Sequence, residues 1–143
     1  MTARSYDLEA IAQCSRDSLA GSRPFPAVVA GLSEAGVGSY YADYRAGQTV
    51  YYPRLGEAVV MQLPTKGKPM GSSFDASALQ AAIKGAQRGE VVYPEFLAKS
   101  MAAGCVGYHV WIDGQHVTYF GAKGEVHVER FPGAASGLGG RQP

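Results

Sequence analysis

Hydrophobic positions recur along this chain with two periods, and the alternation between them predicts its elements. Leu8, Ile11, Ser15 and Leu19 fall three or four residues apart, one face of a helix. Asp7 is placed to accept from its first turn, and Gly21 to end it. Val28, Val29 and Leu32 mark a second helix behind Phe25-Pro26, where a proline suits the first turn, with Gly36 at its far end. The period then drops to two, predicting strands near 37–45, 48–52 and 57–63. The same succession returns. Ala78, Leu79, Ala82, Ile83 and Ala86 stop at Gly89; Tyr93-Pro94 opens a helix carrying Phe96, Leu97 and Met101, closed by Gly104. Strands are predicted over 105–112, 115–120 and 125–131. Asp113-Gly114 predicts a two-residue hairpin turn with positive φ at both residues, and 121–124 a four-residue loop.

The repetition extends to residue identity. Offset by 68 positions, residues 7–64 align with 75–132 without a gap, and 13 of the 58 pairs are identical, among them Pro26/Pro94, Tyr40/Tyr108, Tyr51/Tyr119 and Pro64/Pro132. Chance at this composition gives about four or five. The reading is a tandem duplication of a helix-helix-three-strand unit. It predicts an α+β fold with an antiparallel sheet packed against four helices and pseudo-twofold symmetry. Residues 1–132 form one domain, with repeats 7–64 and 75–132 joined by a polar linker, 65–74, and the Gly-rich stretch 133–143 is read as a disordered tail.

Alternation sorts the second repeat into two faces. Tyr108, Val110, Ile112, Val117, Tyr119, Val126 and Val128 form the expected core face. His109, Trp111, His116, Thr118, His127 and Glu129 form the other, a candidate ligand or interaction face. The expected register gives two cross-strand rows, His109–Thr118–His127 and Trp111–His116–Glu129. The plainer reading is an ordinary solvated sheet face. At matching positions the first repeat carries Tyr41, Val50, Tyr52, Val59 and Met61, an apolar patch that suggests a homodimer interface.

Composition narrows the chemistry. The chain has 143 residues, 46% of them hydrophobic, and 13 Lys and Arg balance 12 Asp and Glu. No basic stripe suits nucleic acid, and no apolar run reaches membrane-spanning length. The first residues carry no hydrophobic leader, and two cysteines make no disulfide scaffold, so a reduced, cytoplasmic protein is the expectation. Cys105 and Cys14 read as buried apolar residues rather than nucleophiles. Lys66, Lys68 and Arg54 read as a wet loop, and Gly36-Val37-Gly38 lacks the spacing of a nucleotide-binding loop. No catalytic residue, metal ligand set or cofactor is assigned.

The run 101–108 (Met-Ala-Ala-Gly-Cys-Val-Gly-Tyr), then Tyr119-Phe120-Gly121, Gly124-Glu125, His127-Val128-Glu129 and Phe131-Pro132, resembles the YbcV-like family. Phe25-Pro26, Ala35-Gly36-Val37, Tyr40 and Tyr51-Tyr52 carry the likeness into the first repeat. The resemblance covers about residues 5–132. It implies small bacterial proteins of unknown function with a phage or prophage connection, some labelled phage envelope proteins, and it carries over no catalytic residues. The first expectation is a non-enzymatic binding or regulatory protein, a homodimer with a protein or small-molecule partner. One alternative is a small metal- or ligand-binding enzyme using His109, His116, His127 and Glu129. Another is a phage structural component.

Overall fold

A computed structural model describes residues 5–133. The expectation of a disordered tail therefore falls, beyond Gly133, outside the described residues. The elements follow the order α1 (Leu8–Leu19), α2 (Phe25–Glu34), β1 (Val37–Asp43), β2 (Gln48–Pro53), β3 (Val59–Gln62), α3 (Ala76–Gln87), α4 (Tyr93–Ala102), β4 (Cys105–Trp111), β5 (His116–Gly121) and β6 (Val126–Arg130). The fold is α+β: the four helices accompany one six-stranded antiparallel sheet in the order β3-β2-β1-β4-β5-β6. Element bounds in the second half match those of the first at an offset of 68 to within one residue.

Local chemistry explains the correspondence. The carboxylate of Asp7 accepts from the Ala10 amide at 3.1 Å, and that of Asp75 from Ala78 at 3.0 Å, so the two longer helices start on the same cap. Pro26 and Pro94 lie in the first turns of α2 and α4, where their missing N–H is no loss. Gly36 and Gly104 take positive φ (100° and 86°) just past those helices, as expected of residues that turn a helix into a strand.

The helices cover one face of the sheet. α1 packs on α2 and α3 on α4, α1 also touches α4 and β3, and α2 and α4 lie against β1 and β4. Ile11, Leu32, Leu79 and Leu97 are buried from the helix side, and Tyr40, Ala42, Tyr51, Tyr108, Val110, Val117 and Tyr119 from the sheet side. Each fully buried Leu or Ile contributes roughly 1.5–3 kcal/mol by leaving water. β1 and β4 carry irregularities at corresponding places, between Val37 and Ser39 and between Cys105 and Gly107. A bulge shifts side-chain parity, so Val37 and Tyr40 both face the helices despite odd spacing.

The hairpin turn differs from expectation. Trp111 does face His116, and His109 faces Thr118. However, the left-handed residue is Gln115 (φ 61°), and neither Asp113 nor Gly114 has positive φ. The loop spans all four residues between the paired ends, and Gln115 donates its amide to the Ile112 carbonyl at 3.2 Å. The β1–β2 loop also spans four residues, with Gly47 (φ 70°) in the corresponding position, though its amide donates to the Asp43 carbonyl at 2.9 Å.

Candidate ligand cavity and the open sheet face

The two outer strands are shifted by one residue from the expected register. β6 pairs Phe120 with Val126, Tyr119 with His127 and Val117 with Glu129. His127 and Glu129 therefore point toward the helices, and the exposed Val126 and Val128 point away from them, the reverse of expectation. β3 makes the same shift: Tyr51 faces Val59 and Thr49 faces Met61, so these two pack on the core, while Val60 is on the open face. The β5–β6 connection is one residue longer than expected, with the Gly121 amide donating to the Glu125 carbonyl at 2.8 Å. One extra loop residue inverts every side chain that follows.

This separates the proposed histidine constellation. His109, Trp111, His116 and Thr118 share the open face; His127 and Glu129 lie on the other side of the sheet. The four groups His109, His116, His127 and Glu129 cannot converge on one ion or substrate, and among the described residues no three His, Cys, Asp or Glu side chains are grouped to hold a metal. The apolar patch of the first half is likewise corrected to Tyr41, Val50 and Tyr52, joined by Val60 in place of Val59 and Met61.

On the open face the aromatic rings stack across strands. The His109 ring lies 3.8 Å from that of Trp111, nearly parallel to it, and 5.9 Å from that of Tyr52 on its other side. Ser39 pairs with both Trp111 and Tyr52, and its small side chain leaves room for this stack. Trp111 donates its indole N–H to Thr118 Oγ1 at 3.2 Å. Nε2 of His109 is buried without a partner among the described residues, and burial holds the imidazole below its ordinary pKa. A shallow depression next to this stack is floored by Gly38 and Ser39 and bordered by Arg54 and Asp113, which pair with each other through two contacts of 2.9 and 2.8 Å.

The deeper concavity is on the helix side. A cavity of about 280 Å³ lies between the α1–α2 connection, the end of α3, the α3–α4 connection and the end of β6. Val28, Ile83, Ala86, Val91 and Val117 give it apolar walls, and Phe25 and Phe131 meet edge-on beside it. Tyr40, Tyr93, Tyr108 and Tyr119 also line it. Tyr108 donates its hydroxyl to Tyr93 at 2.7 Å. Burial raises the pKa of all four phenols, so they stay protonated at neutral pH.

Two of the three charged residues that line the cavity, Arg23 and Glu129, are already engaged. Arg23 pairs with Asp17 at 2.7 Å and donates to Cys14 Sγ at 3.1 Å. Glu129 accepts from Lys84 at 3.1 Å and contacts His127 Nε2 at 3.3 Å. Burial pushes the Glu129 carboxyl up, but hydrogen bonds from Lys84, His127 and Gln80 outweigh it and the net shift is downward. Arg130 borders the cavity from a strand position whose side faces away from the helices. The sequence offered no signal for this cavity, because its walls come from two interhelical connections and a strand end more than a hundred residues apart. Its tyrosines were legible only as core.

Residues 16–130 match the family described as a protein of unknown function, DUF1398. The chain belongs to this family. Relatives of this DUF1398 protein include the uncharacterised proteins Rv2012 of Mycobacterium tuberculosis and Mb2035 of Mycobacterium bovis, each 29% identical over 108 residues, 75% of this chain. The matched region spans 66% of the length of those relatives.

Both cysteines of the DUF1398 chain are buried, as the sequence suggested. Burial pushes the Cys105 thiol up to about 11, and its Sγ donates to the Gly107 carbonyl at 3.3 Å. No helix among the described residues is long and apolar enough to cross a membrane.

Proposed function

We propose that this DUF1398 protein is a non-enzymatic binding protein that holds a small, mainly apolar molecule between its helix layer and its sheet. The observation that carries this reading is the cavity of about 280 Å³. Its volume exceeds the roughly 150 Å³ that holds a benzene ring and approaches the ~300 Å³ lower bound of ordinary ligand pockets. A mainly apolar molecule seated against these walls takes its own apolar surface and theirs out of water. Binding is favoured over catalysis because the cavity holds protonated phenols and paired ions, and the one candidate thiol is kept from its reactive thiolate form.

The test is thermal unfolding with and without saturating naphthalene. A ligand bound only to the folded state raises the melting temperature. The reading expects a rise for the parent protein and none for Ala86→Phe, whose ring fills the cavity. No rise in the parent protein overturns it.

A second reading concerns assembly. Tyr52, Val60, Trp111, Val126 and Val128 are exposed on the helix-free face. An apolar face of this breadth is unusual on a monomer, and a second copy of the same face is the simplest cover. Light scattering should then give twice the chain mass, reduced to one by Val60→Glu with Trp111→Glu. A monomeric parent protein overturns the dimer. The YbcV-like resemblance would add a phage or prophage setting, in the cytoplasm, to either reading.

A further inference from the structure

Two hydroxyl groups at the cavity lack a protein partner. Tyr40 and Tyr119 are 5% and 7% exposed, and both line the cavity. The neighbouring buried phenols are engaged: Tyr44 with Ser100, and Tyr108 with Tyr93. Among the described residues, neither Tyr40 nor Tyr119 has a hydrogen-bonding partner for its hydroxyl. Neither oxygen is sealed in the core, since His109 Nε2 is the buried side-chain polar atom without a partner among the described residues; the two hydroxyls open into the cavity, where an occupant can pair with them.

The geometry points to a neutral aromatic ligand with one hydrogen-bonding head group, such as a phenol or aryl ketone, anchored by the hydroxyls of Tyr40 and Tyr119. This rests on the proposed binding function and gives it a chemical class. The apolar walls and ring-rich lining fit a flat hydrocarbon body of one or two rings. Tyr40 and Tyr119 supply two O–H donors and their lone pairs, which match a hydroxyl or carbonyl. A charged ligand is disfavoured. Arg23 and Glu129 are already paired, with Asp17 and Lys84, and the third charged lining residue, Arg130, stands at a strand position facing away from the helices, which leaves a charge little to compensate its desolvation.

Matched probes test this. Dissociation constants for naphthalene, 2-naphthol and 2-naphthoate are measured by NMR titration on the parent protein and on Tyr40→Phe with Tyr119→Phe. These changes remove only the two unpartnered oxygens, and the parent protein alone already gives the decisive ratio. The parent protein should prefer 2-naphthol to naphthalene by about tenfold, the yield of one or two net hydrogen bonds. The double variant should bind both equally. Equal binding in the parent, a preference unchanged in the double variant, or tighter binding of 2-naphthoate than of 2-naphthol overturns the head-group assignment while leaving an apolar site in place. Binding of none of the three overturns the proposed function itself.

Discussion

Tyr44 and Ser100, 56 positions apart, share a buried hydrogen bond of 2.7 Å. Ser100 also donates to the Leu97 carbonyl at 3.1 Å, so its single proton is committed and Tyr44 must donate to Ser100 Oγ. The contact ties the end of β1 to α4 and so joins the two halves. Ser100→Ala should leave the Tyr44 hydroxyl unsatisfied and lower stability by about 1–3 kcal/mol in urea unfolding. Tyr44→Phe in the same background should return part of that loss. Additive losses in the double variant would show that the two side chains do not act on each other.

Gln115 takes the left-handed turn position that Gly47 fills in the first half. An ordinary side chain is strained there and glycine is not. Gln115→Gly is expected to stabilise by roughly 0.5–1 kcal/mol, and Gly47→Ala to destabilise by at least as much. Chemical denaturation of the two variants checks both signs.

His109 carries an orphaned Nε2 between two aromatic rings. Its folded-state pKa lies below its ordinary value. The unfolded chain therefore takes up a proton first, and stability declines as pH falls below the ordinary imidazole range toward the folded value. His109→Phe should be more stable by about 1 kcal/mol near pH 6, because no polar atom is left unpaired. It should also flatten this part of the pH profile. A profile between pH 5 and 7 that is unchanged by the substitution would contradict the assignment.

Glu129 behaves in the acid range. Its carboxyl is held below the usual value by Lys84, His127 and Gln80 against the opposing effect of burial. A depressed carboxylate stabilises the fold above the unfolded pKa, and that contribution is lost as pH falls through the folded pKa. Glu129→Gln should lose stability at neutral pH and show a shallower decline below about pH 4.5 than the parent protein. Acid unfolding followed by circular dichroism reads both.

Much of the fold was legible because local signals agreed with one another. Asp7 and Asp75 as caps and Gly36 and Gly104 as left-handed residues follow from chemistry within a few residues; the Trp111–His116 pairing is as expected although the turn that was to set it is not. The outer strands were not legible for an equally physical reason. In 126–129 valine alternates with His and Glu, so either parity gives a reasonable strand, and the expected one put both valines inside. The sheet edge reverses this: Glu129 finds a helix partner in Lys84, His127 contacts Glu129, and the valines face outward. The candidate histidine face dissolved with that single shift. The cavity depends on how the two interhelical connections approach β6, which no local pattern encodes.

The central claim is that the helix-side cavity, rather than the stacked rings of the open face, is where this protein receives its ligand. The most direct measurement is mapping of NMR chemical-shift changes during titration with 2-naphthol. The account predicts that the largest changes fall on Val28, Ile83, Ala86, Val91 and Val117. Changes centred on Trp111, His109 and Tyr52 instead would contradict it.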